Sequence, residues 1–180
     1  KTLVNIKGGT VYLNNGDNWV GKIALIDGLL DYSDLISNGA LAASDGKLNV
    51  NSGILTLSTD SFVEKPVITL IDTNAEVHIK KTGYMQLNSN DNWVGKIVLN
   101  ATLSDDLYGY LSISDLTSHG LLEANSGKMI IKNSNVTISN GSYIAYAVAT
   151  NFDVDSTITI SNDGVELASI QVLMTLLSKT

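Results

Sequence analysis

The amino-acid sequence predicts an all-β protein built as a parallel β-solenoid, and three observations predict it. The first is an internal duplication. Leu13-Asn-Asn-Gly-Asp-Asn-Trp-Val-Gly-Lys-Ile-Ala-Leu25 returns 74 residues later as Leu87-Asn-Ser-Asn-Asp-Asn-Trp-Val-Gly-Lys-Ile-Val-Leu99, with ten of thirteen positions identical. Asp34-Leu-x-Ser-x-Gly39 returns as Asp115-Leu-x-Ser-x-Gly120 and Gly46-Lys47 as Gly127-Lys128, now offset by 81, so about seven residues are inserted near Asp105 to Leu111. Tandem self-similarity of this kind marks architectures that stack repeated units. The second observation is a beat of short apolar groups in period-two alternation, bounded by Gly, Asn, Asp and Ser, which reads as strands and tight corners. The third is that Asn- and Gly-rich corners can stack as side-chain ladders between coils, while helical periodicity is almost nowhere convincing. The competing arrangement at this strand spacing is a β-sandwich, or two small sandwiches divided near Pro66 to Thr82 and joined between subunits by a donated strand.

In chain order the first strands are Leu3-Val-Asn-Ile6 and Thr10-Val-Tyr-Leu13, separated by Gly8-Gly9 and followed by the corner Asn14-Asn-Gly-Asp-Asn18. The beat continues through Lys47–Val50, Ile54–Leu57, Val67–Leu70, Val77–Ile79 and Tyr84–Leu87. In the second half it runs through Met129–Ile131, Val136–Ile138, Tyr143–Ala145, Thr157–Ile160 and Val165–Leu167, with corners at Asn133–Asn135, Ser139–Ser142 and Ser161–Gly164. The organisation expected is one domain over 1–180, made of two repeats at about 3–82 and 83–168, with a C-terminal strand or cap over 165–180. If a coil takes about 18 to 20 residues, the 74-residue offset is about four coils, which would set Trp19 and Trp93 roughly 19 Å apart on one face.

Composition narrows the function. Eighteen acidic residues face eleven lysines, no arginine occurs, and the formal net charge is −7 with a pI near 4.6. A nucleic-acid surface needs a basic footprint, usually with arginine forks, so no nucleic-acid partner is expected. Cysteine is absent, which excludes disulfides, thiolate zinc sites and cysteine nucleophiles. No run of about 18 apolar residues is present, so no helical membrane span is expected. Lys1-Thr-Leu-Val lacks the layout of a signal peptide, and the numbering is read as starting after a removed leader.

Chemistry-bearing residues are sparse. Polysaccharide cleavage, a frequent task of parallel β-helices, needs clustered carboxylates with a base or cation on one face. Here His78 and His119 are not equivalent in the two repeats; Asp153-Val-Asp155 puts two carboxylates on one face of a strand if that segment is extended, yet corner carboxylates usually just cap backbone N–H groups. No enzyme and no obligatory cofactor are therefore expected. Asp17, Asn18, Asp91 and Asn92 place oxygen ligands in two equivalent turns and are the calcium candidates, although calcium wants six to eight oxygens and each turn holds one carboxylate. Trp19 and Trp93 are candidate ligand platforms for a glycan. Period two instead puts Trp, Gly and Ile on one face and Val and Lys on the other, which would pack each indole into the core beside Gly21 or Gly95. Asn100, Asn135 and Asn140 head sequons at Asn100-Ala-Thr102, Asn135-Val-Thr137 and Asn140-Gly-Ser142 and are the glycosylation candidates.

In their rhythm of short strands with Asn-Gly, Ser-Asn-Gly and Ser-Gly corners, these residues resemble the repetitive β-solenoid surface proteins of microbes: autotransporter passengers, adhesins, and sheath or filament subunits. The resemblance implies an extracellular or cell-surface structural protein. Weakly guarded ends at Lys1-Thr-Leu-Val and Leu176-Leu-Ser-Lys-Thr180 would let strand edges and termini pair into a homopolymeric fibre, sheath or layer. The alternative is an adhesin or glycan-binding module with a surface partner, and a third reading is a relic of a polysaccharide lyase or hydrolase.

Overall fold

A computed structural model describes residues 2–100, 108–145 and 147–161. Sixteen strands follow in order: β1 (Leu3–Leu13), β2 (Lys22–Tyr32), β3 (Ala40–Ala43), β4 (Lys47–Leu57), β5 (Phe62–Val63), β6 (Ile68–Ile79), β7 (Tyr84–Leu87) and β8 (Asn92–Trp93). They continue as β9 (Lys96–Leu99), β10 (Tyr110–Ser114), β11 (Leu121–Ala124), β12 (Gly127–Lys132), β13 (Asn135–Ile138), β14 (Tyr143–Ile144), β15 (Val148–Phe152) and β16 (Thr157–Ile160). Every strand pair is parallel. The strands coil into a β-solenoid of about seven turns, which replaces the sandwich alternative, since sandwich sheets are made largely of antiparallel pairs.

The pairings resolve three faces. On the first, Lys22 pairs with Ala40, Phe62 with Tyr84, Tyr84 with Tyr110, and Tyr110 with Lys128. The second runs from Thr10 to Leu29, Lys47 and Ile68, with Leu70 then pairing Asn92. On the third, Ile54 pairs with Glu76, Glu76 with Lys96, and Lys96 with Leu121. The long strands β1 and β2 bend from the first face to the second, and β4 and β6 from the second to the third. Register shifts between Ile6 and Gly9 and between Val50 and Ser52 mark the bends. An extra residue in one strand turns a corner without breaking the ladder, so the faces join into one fourteen-stranded sheet, with β13 and β16 paired apart from it.

Along each rung, alternate side chains point inward. Leu25, Leu30, Leu48, Leu55, Ile71, Ile79, Met85, Ile97, Leu111 and Ile131 are among those without exposure, and they belong to one continuous core cluster reaching from Ile6 to Val148. β6 pairs with β4 on one side and with β8 and β9 on the other, so the stack is continuous across Pro66 to Thr82. The proposed C-terminal strand or cap over 165–180 lies outside the described residues.

Two expectations need correction. A coil of 18 residues holds at Lys22↔Ala40, but Phe62↔Tyr84 spans 22 and Tyr84↔Tyr110 spans 26. The paired positions keep their rungs while the number of residues between them varies. Trp19 and Trp93 also do not share a face. Lys22, just after the first tryptophan, opens the first-face part of β2, whereas Trp93 pairs with Ile71 on the second face and Lys96 with Glu76 on the third. The two copies are therefore related by three turns and two further faces rather than by four whole turns. Both offsets obey this relation: Lys47 lies on the second face and its counterpart Lys128 on the first. The seven-residue insertion falls between β9 and β10.

The rungs leave no room for side chains where coils meet backbone to backbone. A Cβ on Gly39 would collide with the carbonyl oxygens of Gly21 and Val20, and one on Gly120 with those of Gly95 and Val94. Gly9, in contrast, has nothing within 4 Å of such an atom. Gly39→Ala and Gly120→Ala are each expected to destabilise by about 1–3 kcal/mol or more through overpacking, with Gly9→Ala near neutral; urea unfolding followed by circular dichroism measures the difference.

Candidate functional site

The duplicated segments converge on one construction, a tight Asx turn feeding a buried tryptophan, a glycine and the next coil. In the first copy, Asn14 N–H donates to Asp17 Oδ2 at 2.8 Å and Gly16 N–H to Asn14 Oδ1 at 2.9 Å. The second copy repeats both bonds, with Asn88 N–H to Asp91 Oδ2 at 2.6 Å and Asn90 N–H to Asn88 Oδ1 at 2.9 Å. A short Asx side chain mimics a backbone turn in this way, which is why the spacing Asn-x-x-Asp survives while the residues between differ.

Each turn delivers its indole to the core. Trp19 is 8% exposed and Trp93 3%, and each indole N–H donates to the carbonyl two residues on, Gly21 O and Gly95 O, at 3.0 Å. The same carbonyls accept the next coil's Ala40 N–H at 3.1 Å and Leu121 N–H at 3.0 Å. The expected division of faces holds, with Val20 and Val94 outward and Ile23 and Ile97 buried. A buried tryptophan with its N–H satisfied is a packing residue, and neither indole presents a face to solvent as a ligand platform.

The calcium candidates differ between copies. Asp17 and Asn18 are exposed, and Asp17 serves its own turn. Asp91 is drawn inward: its side chain is 0% exposed, Oδ1 accepts Thr69 N–H of the preceding coil at 2.6 Å, and Oδ2 forms an ion pair with Lys65 Nζ. Lys65 Nζ also donates to Val67 O at 3.1 Å. Asn92 enters β8 and pairs with Leu70. Both oxygens of the Asp91 carboxylate are thus engaged by protein donors, and among the described residues no group of three acidic, histidine or cysteine side chains is arranged to hold a metal ion.

The histidines have structural partners. His78 Nε2 lies 2.8 Å from Glu76 Oε2 on the third face, where Lys96 Nζ approaches Glu76 Oε1 at 2.9 Å and Glu123 Oε1 at 3.5 Å. Burial opposes ionisation of Glu76, but hydrogen bonds from His78 and Lys96 outweigh it and hold the carboxyl below its usual range. Bonding to Glu76 pushes the Lys96 ammonium up. His119 stacks on Trp93 with ring centroids 4.8 Å apart. Two shallow polar grooves, of about 350 and 330 Å³, flank it. Asp153 sits at a corner as expected: Ser156 Oγ donates to it at 2.6 Å and Asn133 N–H at 3.1 Å, and these bonds hold its carboxyl below the usual range.

Of the sequon residues, Asn135 and Asn140 are exposed, and Asn100 accepts from Asn125 Nδ2 at 2.8 Å in a ladder that Tyr143 extends by donating to Asn125 Oδ1. Thr102 of the first sequon lies outside the described residues. Ser142 of the third is buried, and its hydroxyl accepts Leu122 N–H at 3.1 Å.

Sequence reasoning missed three residues. Ser61 accepts Leu41 N–H at 3.2 Å as Ser142 accepts Leu122 N–H, and these serines are 81 residues apart, so extending the second offset would have found them. The same offset pairs His119 with Asn38. Lys65 carries no such signal, because it meets Asp91 across 26 residues and one coil. No protein family, curated protein or solved structure matches the chain.

Three outcomes follow from this geometry. Asp91→Ala is expected to cost about 3–5 kcal/mol because it strands the partly buried Lys65 charge, whereas Asp17→Ala removes an exposed turn bond worth about 0.5–1.5 kcal/mol; chemical denaturation of the two variants distinguishes them. Ser142→Ala leaves Leu122 N–H buried without its acceptor and is expected to cost about 1–3 kcal/mol, read by the same method. Iodide should quench the fluorescence of Trp19 and Trp93 weakly in the native state and strongly after unfolding.

Proposed function

We propose that the chain is a non-catalytic structural segment of an extracellular or cell-surface protein that self-assembles through β-strand edges into a fibre, sheath or layer. One observation carries the reading. Every coil in the stack is held to its neighbour by parallel main-chain hydrogen bonds, along strands such as the eleven-residue β1. A strand edge of that length is a template for another strand, and main-chain bonding supplies strength while inward packing supplies register. Val4 and Tyr12 on this strand are 45% and 68% exposed, and no proline occurs in it. Contact between the two unlike ends of a solenoid is heterologous and open, and therefore extends into filaments rather than closing.

The residues that would have carried catalysis support the non-catalytic reading: His78, His119 and Asp153 are each bound to structural partners. The adhesin or glycan-binding alternative loses its aromatic platform through the burial of Trp19 and Trp93. The extracellular assignment rests on the cysteine-free, Asn-, Ser- and Thr-rich composition and on the resemblance to microbial surface solenoids.

Negative-stain electron microscopy at neutral pH and at two protein concentrations tests the proposal. Ordered fibres, tubes or sheets are expected from the unaltered chain, and Val4→Lys with Tyr12→Lys should suppress them while leaving the β circular-dichroism spectrum unchanged, because edge charges block pairing. Uniform single particles at both concentrations would overturn it.

A further inference from the structure

The duplication places His119 in the slot that Asn38 fills in the first copy, and both residues do the same task. Asn38 Oδ1 accepts Thr56 N–H of the next coil at 2.7 Å, while its Nδ2 donates to Gly39 O at 2.7 Å and to Thr56 O at 2.8 Å. In the second copy, Thr137 N–H points at His119 Nε2 at 2.8 Å, and His119 Nδ1 lies 2.7 Å from Gly120 O. Both spans, Asn38 to Thr56 and His119 to Thr137, are 18 residues. A backbone N–H can only donate and a carbonyl can only accept, so the two contacts assign the tautomer: Nε2 is the bare acceptor and Nδ1 carries the proton. An asparagine meets these demands at any pH, whereas an imidazole meets them only when neutral.

We infer that His119 is a pH-sensitive latch between successive coils, which holds the coil carrying β13 while the ring is neutral and releases that contact when the ring takes a second proton. Protonation places an N–H on Nε2, directly against the N–H of Thr137. Two donors then face each other, and Thr137 N–H loses its acceptor. The ring cannot turn away freely, because Trp93 stacks on it and Gly120 O holds its other nitrogen.

The surroundings do little to stabilise the cation. The charged groups lining the groove on the Trp93 side are Asp91, already paired with Lys65, and Asp115, which accepts Asn133 Nδ2 at 2.7 Å. On the Thr137 side the lining consists of Val94, Thr117, Ser118, Gly120, Leu121, Thr137 and Ser139, without a charged group. Burial lowers the imidazole's affinity for a proton below its ordinary value, and the bond to Gly120 O only partly offsets this. With the folded value below the unfolded one, the unfolded or opened chain binds the proton more readily. The contact's stabilisation is thus complete above the ordinary imidazole value, near 6.5, and is lost as pH falls through the lowered one.

The test compares the unaltered chain with His119→Asn, which restores the side chain that the first copy uses. Hydrogen exchange at the Thr137 amide, corrected for intrinsic rates, is measured from pH 7.5 to 5. In the unaltered chain the opening equilibrium should rise by up to about tenfold per pH unit between the two imidazole values, whereas in His119→Asn it should stay flat. Equal responses in both proteins, or none in either, would overturn the inference. A second measurement needs no variant: an NMR titration in which His119 protonates at or above the ordinary imidazole value would overturn it too.

Discussion

The structure depends on main-chain hydrogen bonding between successive coils. Each rung is held by the rung before it, so a carbonyl such as Gly95 O serves the indole of its own coil and the Leu121 N–H of the next. This makes neighbouring coils mutually specifying. A side chain has to match its own strand and also the residue one coil away, and where backbones pass closest, as at Gly39 over Gly21 and Gly120 over Gly95, no side chain fits. Parallel pairing with inward alternation then yields a core that is one continuous column rather than a centre with a surface.

The duplication shows how tolerant this arrangement is. Its copies stand on different faces, related by three turns and two faces, and yet the Asx turn, the tryptophan bond and the glycine contact recur with nearly the same distances. The three faces are therefore close to equivalent environments: each presents the same pleated rung at about 4.8 Å from the next, and a segment that caps one corner can cap another. Seven extra residues between β9 and β10 do not disturb the relation, because Lys96 and Leu121 still meet across them.

Where the copies differ, the difference is chemical rather than architectural. Asp17 closes an exposed turn; its counterpart Asp91 closes the same turn and also holds a backbone N–H and the lysine of the preceding coil. Asn38 becomes His119, preserving an acceptor toward the next coil and a donor toward the following glycine while adding a titratable proton. Repetition gives a stack whose rungs are interchangeable in shape, and substitution within it adds ion pairs and proton sensitivity without altering the path of the chain.

How much of this was legible in the residues follows from the range of each interaction. Strand beat, Asx corners, burial of Trp19 and Trp93 and the outward Val20 and Val94 depend on residues a few positions apart, and local spacing determined them. The duplication itself, together with the absence of arginine and cysteine, was equally plain. The number of faces, the varying coil length and the placement of Trp93 away from the face of Trp19 were not, because the sequence offset counts residues while the fold counts rungs, and the number of residues between rungs varies. The pairing of Asp91 with Lys65 and of His119 with Thr137 joins residues 26 and 18 positions apart. Only the closed coil decides such contacts, since the length of each turn sets which side chains meet across a rung.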